Sequence, residues 1–227
     1  KNDFIQDWVR GRAALNVKKS TDKLQRHPYE PCYLYESGIL PLQQFLIKGI
    51  IWYQGESNAH NREAHEKLFK LLVDSWRKNW EDNELPFYYV QLSSIDRPSW
   101  PWFRDSQRRF LTQIPHTGMA VTSDKGDSLN VHPTHKQEVG ERLAVWALNK
   151  TYNYKNVVPS GPLFKSVSFK NGAAYISFDY SEGLHASDNN EIRTFELSGD
   201  DQIFYPAKAA VVNGELKVWS DKVKEPT

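Results

Sequence analysis

The apolar run Ile47-Lys48-Gly49-Ile50-Ile51-Trp52-Tyr53 limits the possible folds more than any other stretch of this chain. It stops at a polar turn, Gln54-Gly55-Glu56-Ser57-Asn58, and a long helical pattern follows. Branched residues without strict alternation suit a strand buried on both faces, the habit of parallel sheets. After the turn, Leu68, Leu72, Trp76 and Trp80 recur at helical spacing with Phe69 and Val73 beside them, so this stripe is expected to face the core. Strand, turn and helix in that order begin a parallel α/β unit, and ligands in such sheets bind just past the carboxyl ends of the strands. Chemistry is therefore expected first at the turn 54–58.

The alternation continues. Residues 87–92 read as a strand, 102–113 as a helix, 118–122 as a third strand, and 133–148 as a helix with Val139, Leu143 and Trp146 on its buried side. Pro133 suits a first helical position, where its missing N–H costs nothing. Upstream, Phe4, Trp8 and Leu15 share one helical face, 18–27 reads as a solvated loop, and 34–46 as a short helix broken at Pro41. This order predicts an α/β domain over residues 1–155, a parallel sheet flanked by helices in the flavodoxin-like manner. Farther on, short strands at 165–169, 174–178, 193–197, 207–212 and 216–219 are separated by hairpin signals such as Asn171-Gly172 and Asn213-Gly214. Residues 156–227 are accordingly expected to form a small all-β module.

With 29 Lys and Arg against 28 Asp and Glu, the chain has no basic footprint for nucleic acid. No apolar run approaches the ~20 residues that cross a bilayer, so no membrane partner is expected. The 8 tryptophans lend mild support to a sugar-facing surface. Cys32, the one cysteine, excludes an intrachain disulfide and reads as a small buried hydrophobe. Nothing at the start resembles a signal peptide.

Two polar turns follow apolar strands, and in a parallel sheet both open on the same edge. The first is 54–58. The second is Asp124-Lys125-Gly126-Asp127-Ser128-Leu129-Asn130-Val131-His132-Pro133. A carboxylate that accepts the imidazole Nδ1–H leaves Nε2 as a general base, which makes His132 the candidate base. Asp127 is the favoured acid and Asp124 the second choice; a carbonyl in its place, or a plain Ser–His dyad, is a further possibility. Ser57 competes as a nucleophile, because Gly55-Glu56-Ser57-Asn58-Ala59 nearly spells the G-x-S-x-G elbow.

The stretch 47–59 resembles the signature of the sialate O-acetylesterase family, within the SGNH-like hydrolases. So does Thr117-Gly118-Met119-Ala120-Val121-Thr122 with Gly126-Asp127, Asn130-Val131-His132-Pro133 and the continuation Lys136-Gln137-Glu138-Val139-Gly140-Glu141-Arg142-Leu143-Ala144. The resemblance spans roughly residues 28–221. It implies an SGNH-like α/β hydrolase domain that removes O-acetyl groups from a sugar through a serine nucleophile, without cofactor or metal. His132 matches the base, and Gln54 the side chain that donates to the oxyanion. Gly55 and Glu56 complete that oxyanion and substrate-binding turn. The family's Gly-Gln-Ser-Asn type nucleophile motif does not occur here, nor does its Gly-rich oxyanion loop. The expectation is thus that a missing N-terminal segment or a second chain carries the serine. The alternative is a non-catalytic glycan-binding fragment. Work on sugar esters favours a secreted or periplasmic setting.

Overall fold

The computed structural model describes residues 32–227. The helical face of Phe4, Trp8 and Leu15 and the loop at 18–27 lie outside the described residues. The chain divides into two compact units, with the boundary between Ala147 and Leu148.

The first unit holds a three-stranded parallel sheet in the order β1 (Ile50–Trp52), β2 (Phe87–Gln91), β3 (Thr117–Val121). The pairing sets Ile50 beside Phe87 and Tyr89 beside Met119. Three helices connect or follow these strands: α1 (Arg62–Asn79), α2 (Trp100–Gln113) and α3 (Lys136–Trp146). Every residue of central β2 is buried: four apolar or aromatic residues, as a central strand demands, and then Gln91, whose Nε2 donates to the Arg104 carbonyl. β1 differs from expectation. It is shorter than the apolar run and is not buried on both faces, because Ile51 is 68% exposed. Among the described residues β1 has β2 as its one strand neighbour, so its outer side lacks the cover that central β2 receives.

The buried line of α1 is His65, Phe69, Val73 and Arg77, one residue round from the expected stripe of Leu68, Leu72, Trp76 and Trp80. Phe69 decides the rotation. It stacks on Phe110 at 4.7 Å and meets Phe87 and Tyr89 edge-on at 5.6 and 5.2 Å, geometries that aromatic rings prefer. Arg77 lies inside because its guanidinium donates to the carbonyls of Leu85, Pro115 and His116, just before β2 and β3. In α2, Gln107 performs the same service for β2: its Oε1 accepts from the Leu92 N–H and its Nε2 donates to the Val90 carbonyl.

Three further expectations are corrected. α3 starts at Lys136, not at Pro133; Pro133 is buried in the preceding loop, and the first turn begins only after His135. The segment 34–46 forms two tight turns, a π-helical one at Tyr35–Ile39 and a 3₁₀ one at Leu40–Leu42 that contains Pro41, and helix ends there. Cys32 is exposed, with φ of 67°, because residues 32–49 form no part of the core and offer its side chain no interior to enter.

The second unit is a five-stranded antiparallel sheet in the order β4-β5-β8-β7-β6, built from β4 (Leu163–Lys170), β5 (Ala173–Asp179), β6 (Ile192–Leu197), β7 (Tyr205–Val212) and β8 (Glu215–Trp219). Asn171-Gly172 and Asn213-Gly214 make the β4–β5 and β7–β8 turns. All four residues have positive φ, 51°, 70°, 52° and 80° in that order, which the two-residue hairpin turn requires and Asn-Gly supplies cheaply. Ala174, Leu197, Ala209, Leu216, Val218 and Val223 form this unit's core.

Candidate active site

Because β1, β2 and β3 run parallel, the turn after β1 and the loop after β3 leave the same edge of the sheet. A side-chain contact joins them. Lys136 Nζ, at the start of α3, stands 4.1 Å from the centroid of the Tyr53 ring, immediately before Gln54. This cation–π pair holds the end of the histidine loop against the glutamine turn.

The first turn is shaped by Gly55, whose φ of 148° lies where other residues are strained. A Cβ there would also meet the Phe103 ring at 3.1 Å. Glu56–Asn58 follow as a 3₁₀ turn, with the Asn58 N–H donating to the Gly55 carbonyl at 2.8 Å. Asn61 then caps α1, its side-chain oxygen accepting from the Ala64 N–H at 3.1 Å. Gln54 is half-buried, and its side-chain amide takes no hydrogen-bond partner among the described residues. The Trp52 indole N–H and the Tyr53 hydroxyl are buried beside it and lack partners as well. Buried polar groups normally find partners; the Trp52 ring lies instead against Trp76 and Phe87, at 6.0 and 6.1 Å. Ser57 is exposed and makes no hydrogen bond to a histidine among the described residues.

The second loop is fastened along its length. Asp124 forms a two-pronged ion pair with Arg142 of α3, 2.6 and 2.7 Å, and the same guanidinium donates to the Val121 carbonyl at 2.6 Å. The hydrogen bonds from Arg142 hold the Asp124 carboxyl below its ordinary range. Asp124 is thereby committed to α3. Ser94 donates to the Ser123 carbonyl, and the Asp96 N–H to the Ser128 carbonyl, which binds the loop to the segment after β2. Gly126 lies flat against Ser94: a Cβ would be 2.3 Å from the Ser94 carbonyl oxygen and 2.5 Å from its nitrogen. Backbone cannot rotate away, so Gly126→Ala is expected to destabilise the unit by about 1–3 kcal/mol. Urea unfolding of the two proteins measures this; an unchanged midpoint would mean that the loop slides without cost.

Asp127 serves the loop itself. Its Oδ1 accepts from the N–H groups of Leu129 and Asn130 at 2.8 and 3.1 Å, an Asx turn. Asn130 repeats the device on the N–H of His132 at 2.9 Å. Asp127 and His132 make no ion pair or hydrogen bond with each other, and the His132 ring is exposed. The histidine–carboxylate contact present in this loop is instead His135 Nδ1 to Glu138 Oε1 at 3.4 Å, with Lys125 on the same carboxylate at 3.2 Å. Sequence reading passed over that pair; its i, i+3 spacing at a helix start was the available signal. Among the described residues no group of three His, Cys, Asp or Glu is placed to hold a metal ion, and no helix is long and apolar enough to cross a membrane.

A parallel α/β sheet that delivers a glutamine turn and a histidine loop to one edge, followed by an antiparallel module, is the layout of an SGNH-like carbohydrate esterase. The chain belongs to the carbohydrate esterase, sialic acid-specific acetylesterase family, whose profile matches residues 5–149. It is 32% identical to mouse sialate O-acetylesterase over 195 residues, covering 75% of this chain and 36% of the mouse protein. Human sialate O-acetylesterase is 28% identical over 221 residues, 86% of this chain and 42% of that protein. The crystal structure of a carbohydrate acetylesterase from Xanthomonas citri superposes with a TM-score of 0.79 and 38% identity, covering 86% of this chain and 46% of that one. The chain thus spans less than half the length of each of these relatives.

Proposed function

We propose that this chain supplies the base and one oxyanion donor of a serine-dependent carbohydrate O-acetylesterase acting on acetylated sugars of the sialic acid type. The observation that carries this reading is the meeting of the two turns at one sheet edge, joined through Tyr53 and Lys136. His132 takes the proton from the attacking hydroxyl and returns it to the leaving sugar oxygen, and water then repeats the cycle on the acetyl-serine. Gln54 presents an amide N–H to the tetrahedral oxygen, with Gly55 and Glu56 shaping the turn around it. A preorganised donor of this kind is worth on the order of 3 kcal/mol in the transition state. Asp127 acts by holding the loop's form, and through it the His132 backbone.

The attacking serine belongs to a further polypeptide segment that seats beside β1. Two features support this: the exposed Ile51 of that edge strand and coverage of only 36% of the mouse relative. Labelling the complete protein with a fluorophosphonate, followed by peptide mapping, tests the assignment. The expected adduct is on a serine outside residues 1–227. An adduct on Ser57 overturns the placement, and binding of an acetylated glycan by an enzyme that never hydrolyses it overturns the esterase reading.

A further inference from the structure

His65 is the most deeply buried imidazole of the described residues, 3% exposed, and the proposed mechanism gives it no task. Its ring lies among three phenyl rings, with centroids 4.6 Å from Phe103 and 5.9 Å from both Phe69 and Phe110. Its one polar contact leads to the candidate site: Asn58 Nδ2 lies 3.2 Å from His65 Nδ1. With the amide nitrogen facing it, Nδ1 accepts and the proton resides on Nε2. That Nε2 is buried and has no partner. An unsatisfied buried donor weakens a fold, and a fourth apolar side chain would fill this pocket without that penalty. The Phe103 ring that touches His65 is also the ring against which Gly55 is pressed. His65 therefore meets the turn twice, directly at Asn58 and through Phe103 beneath Gly55.

We infer that His65 is a positioning residue for the glutamine turn: it fixes Asn58 and, with Phe103, sets the geometry in which Gln54 presents its amide. This rests on the oxyanion role given to Gln54 above. Small displacements of a catalytic group cost large factors in rate, which is what a buttress behind the turn prevents.

The test separates the buttress from the chemistry. In this chain, His65→Phe keeps the aromatic packing and deletes the acceptor. The midpoint of thermal unfolding is expected to hold or rise, while hydrogen exchange at the Asn58 and Asn61 amides speeds up about tenfold as the turn loosens. His65→Gln, which retains an acceptor, restores part of that protection. In the complete protein, His65→Phe is expected to lower kcat by about tenfold or more with KM little changed. Unchanged exchange at both amides overturns the inference, whatever the activity does. Faster exchange with undiminished kcat leaves the buttress standing and removes the oxyanion role of Gln54. Should His65→Phe fail to fold, Asn58→Ala deletes the same bond from the half-buried side, and the same exchange criterion decides.

Discussion

His132→Ala in the complete protein is expected to lower ester turnover by at least ~10³-fold, with the unfolding midpoint little changed. The two halves of that expectation have separate grounds. The His132 ring is exposed and makes no side-chain bond among the described residues, so removing it breaks no fold contact. Its backbone N–H, held by Asn130, stays in place in the variant. The loss in rate follows from the proton step: without a base near the serine, the hydroxyl attacks as a weak nucleophile. Steady-state hydrolysis of an O-acetylated sialic acid and a parallel melting curve measure both quantities. Activity within tenfold of the parent protein would remove His132 from the mechanism. His135, held by Glu138, would then be the next residue to change.

The second large effect concerns acid stability. Burial alone pushes the His65 imidazole down from 6.5 to about 4. In the unfolded chain the ring titrates near its ordinary value, about 6.5. Above that pH both states hold a neutral ring, and the fold pays nothing for it. As pH falls from 6.5 towards 4, the unfolded state binds a proton that the folded state refuses, so stability drops with pH. At 1.36 kcal/mol per pKa unit the loss amounts to about 3 kcal/mol. Urea unfolding of this chain at pH 7.5 and pH 4.5 is expected to show it, and His65→Phe is expected to abolish the part that His65 causes. An equal loss in both proteins would assign the acid sensitivity to other groups. Carboxylates such as Asp124, held by Arg142, contribute only at lower pH, because their stabilisation is lost as pH falls through the carboxylate range.

The order of strands and helices was legible in the sequence because it depends on long apolar runs interrupted by turn residues. Four of the five residues of β2 are apolar or aromatic, and all five are buried. The Asn-Gly pairs forecast two hairpins because few other dipeptides accept positive φ twice. What could not be read was which row of α1 faces inward. The rows 65/69/73/77 and 68/72/76/80 both follow helical spacing, and hydrophobicity favours the second. Packing chose the first, because Phe69 finds Phe87, Tyr89 and Phe110, and because His65 and Arg77 answer polar groups that only the folded chain brings near them. Of the candidate site, the two polar turns could be read because each follows an apolar strand; the roles of Gln54 and His132 rest on the family resemblance. Asp127 looked like an acid partner because it is a carboxylate near a histidine, yet its side chain is engaged by local backbone N–H groups, a competition that spacing alone does not reveal. The Tyr53–Lys136 contact, which unites the two turns, joins residues far apart in sequence.

The sheet order of the second unit bears on how it assembles in time. The β4–β5 and β7–β8 hairpins close over two-residue turns, events on the scale of about 1–10 microseconds. β5 must then find β8, pairing Ala173 with Trp219 across the whole of β6 and β7. That junction carries the loop-closure entropy of the unit, so the barrier to folding is expected to fall there. Weakening a hairpin turn should mainly alter how often each half forms, whereas truncating Val218 or Ala174 at the seam should slow the encounter itself. The unit is expected to fold as two fast halves with one slow joint.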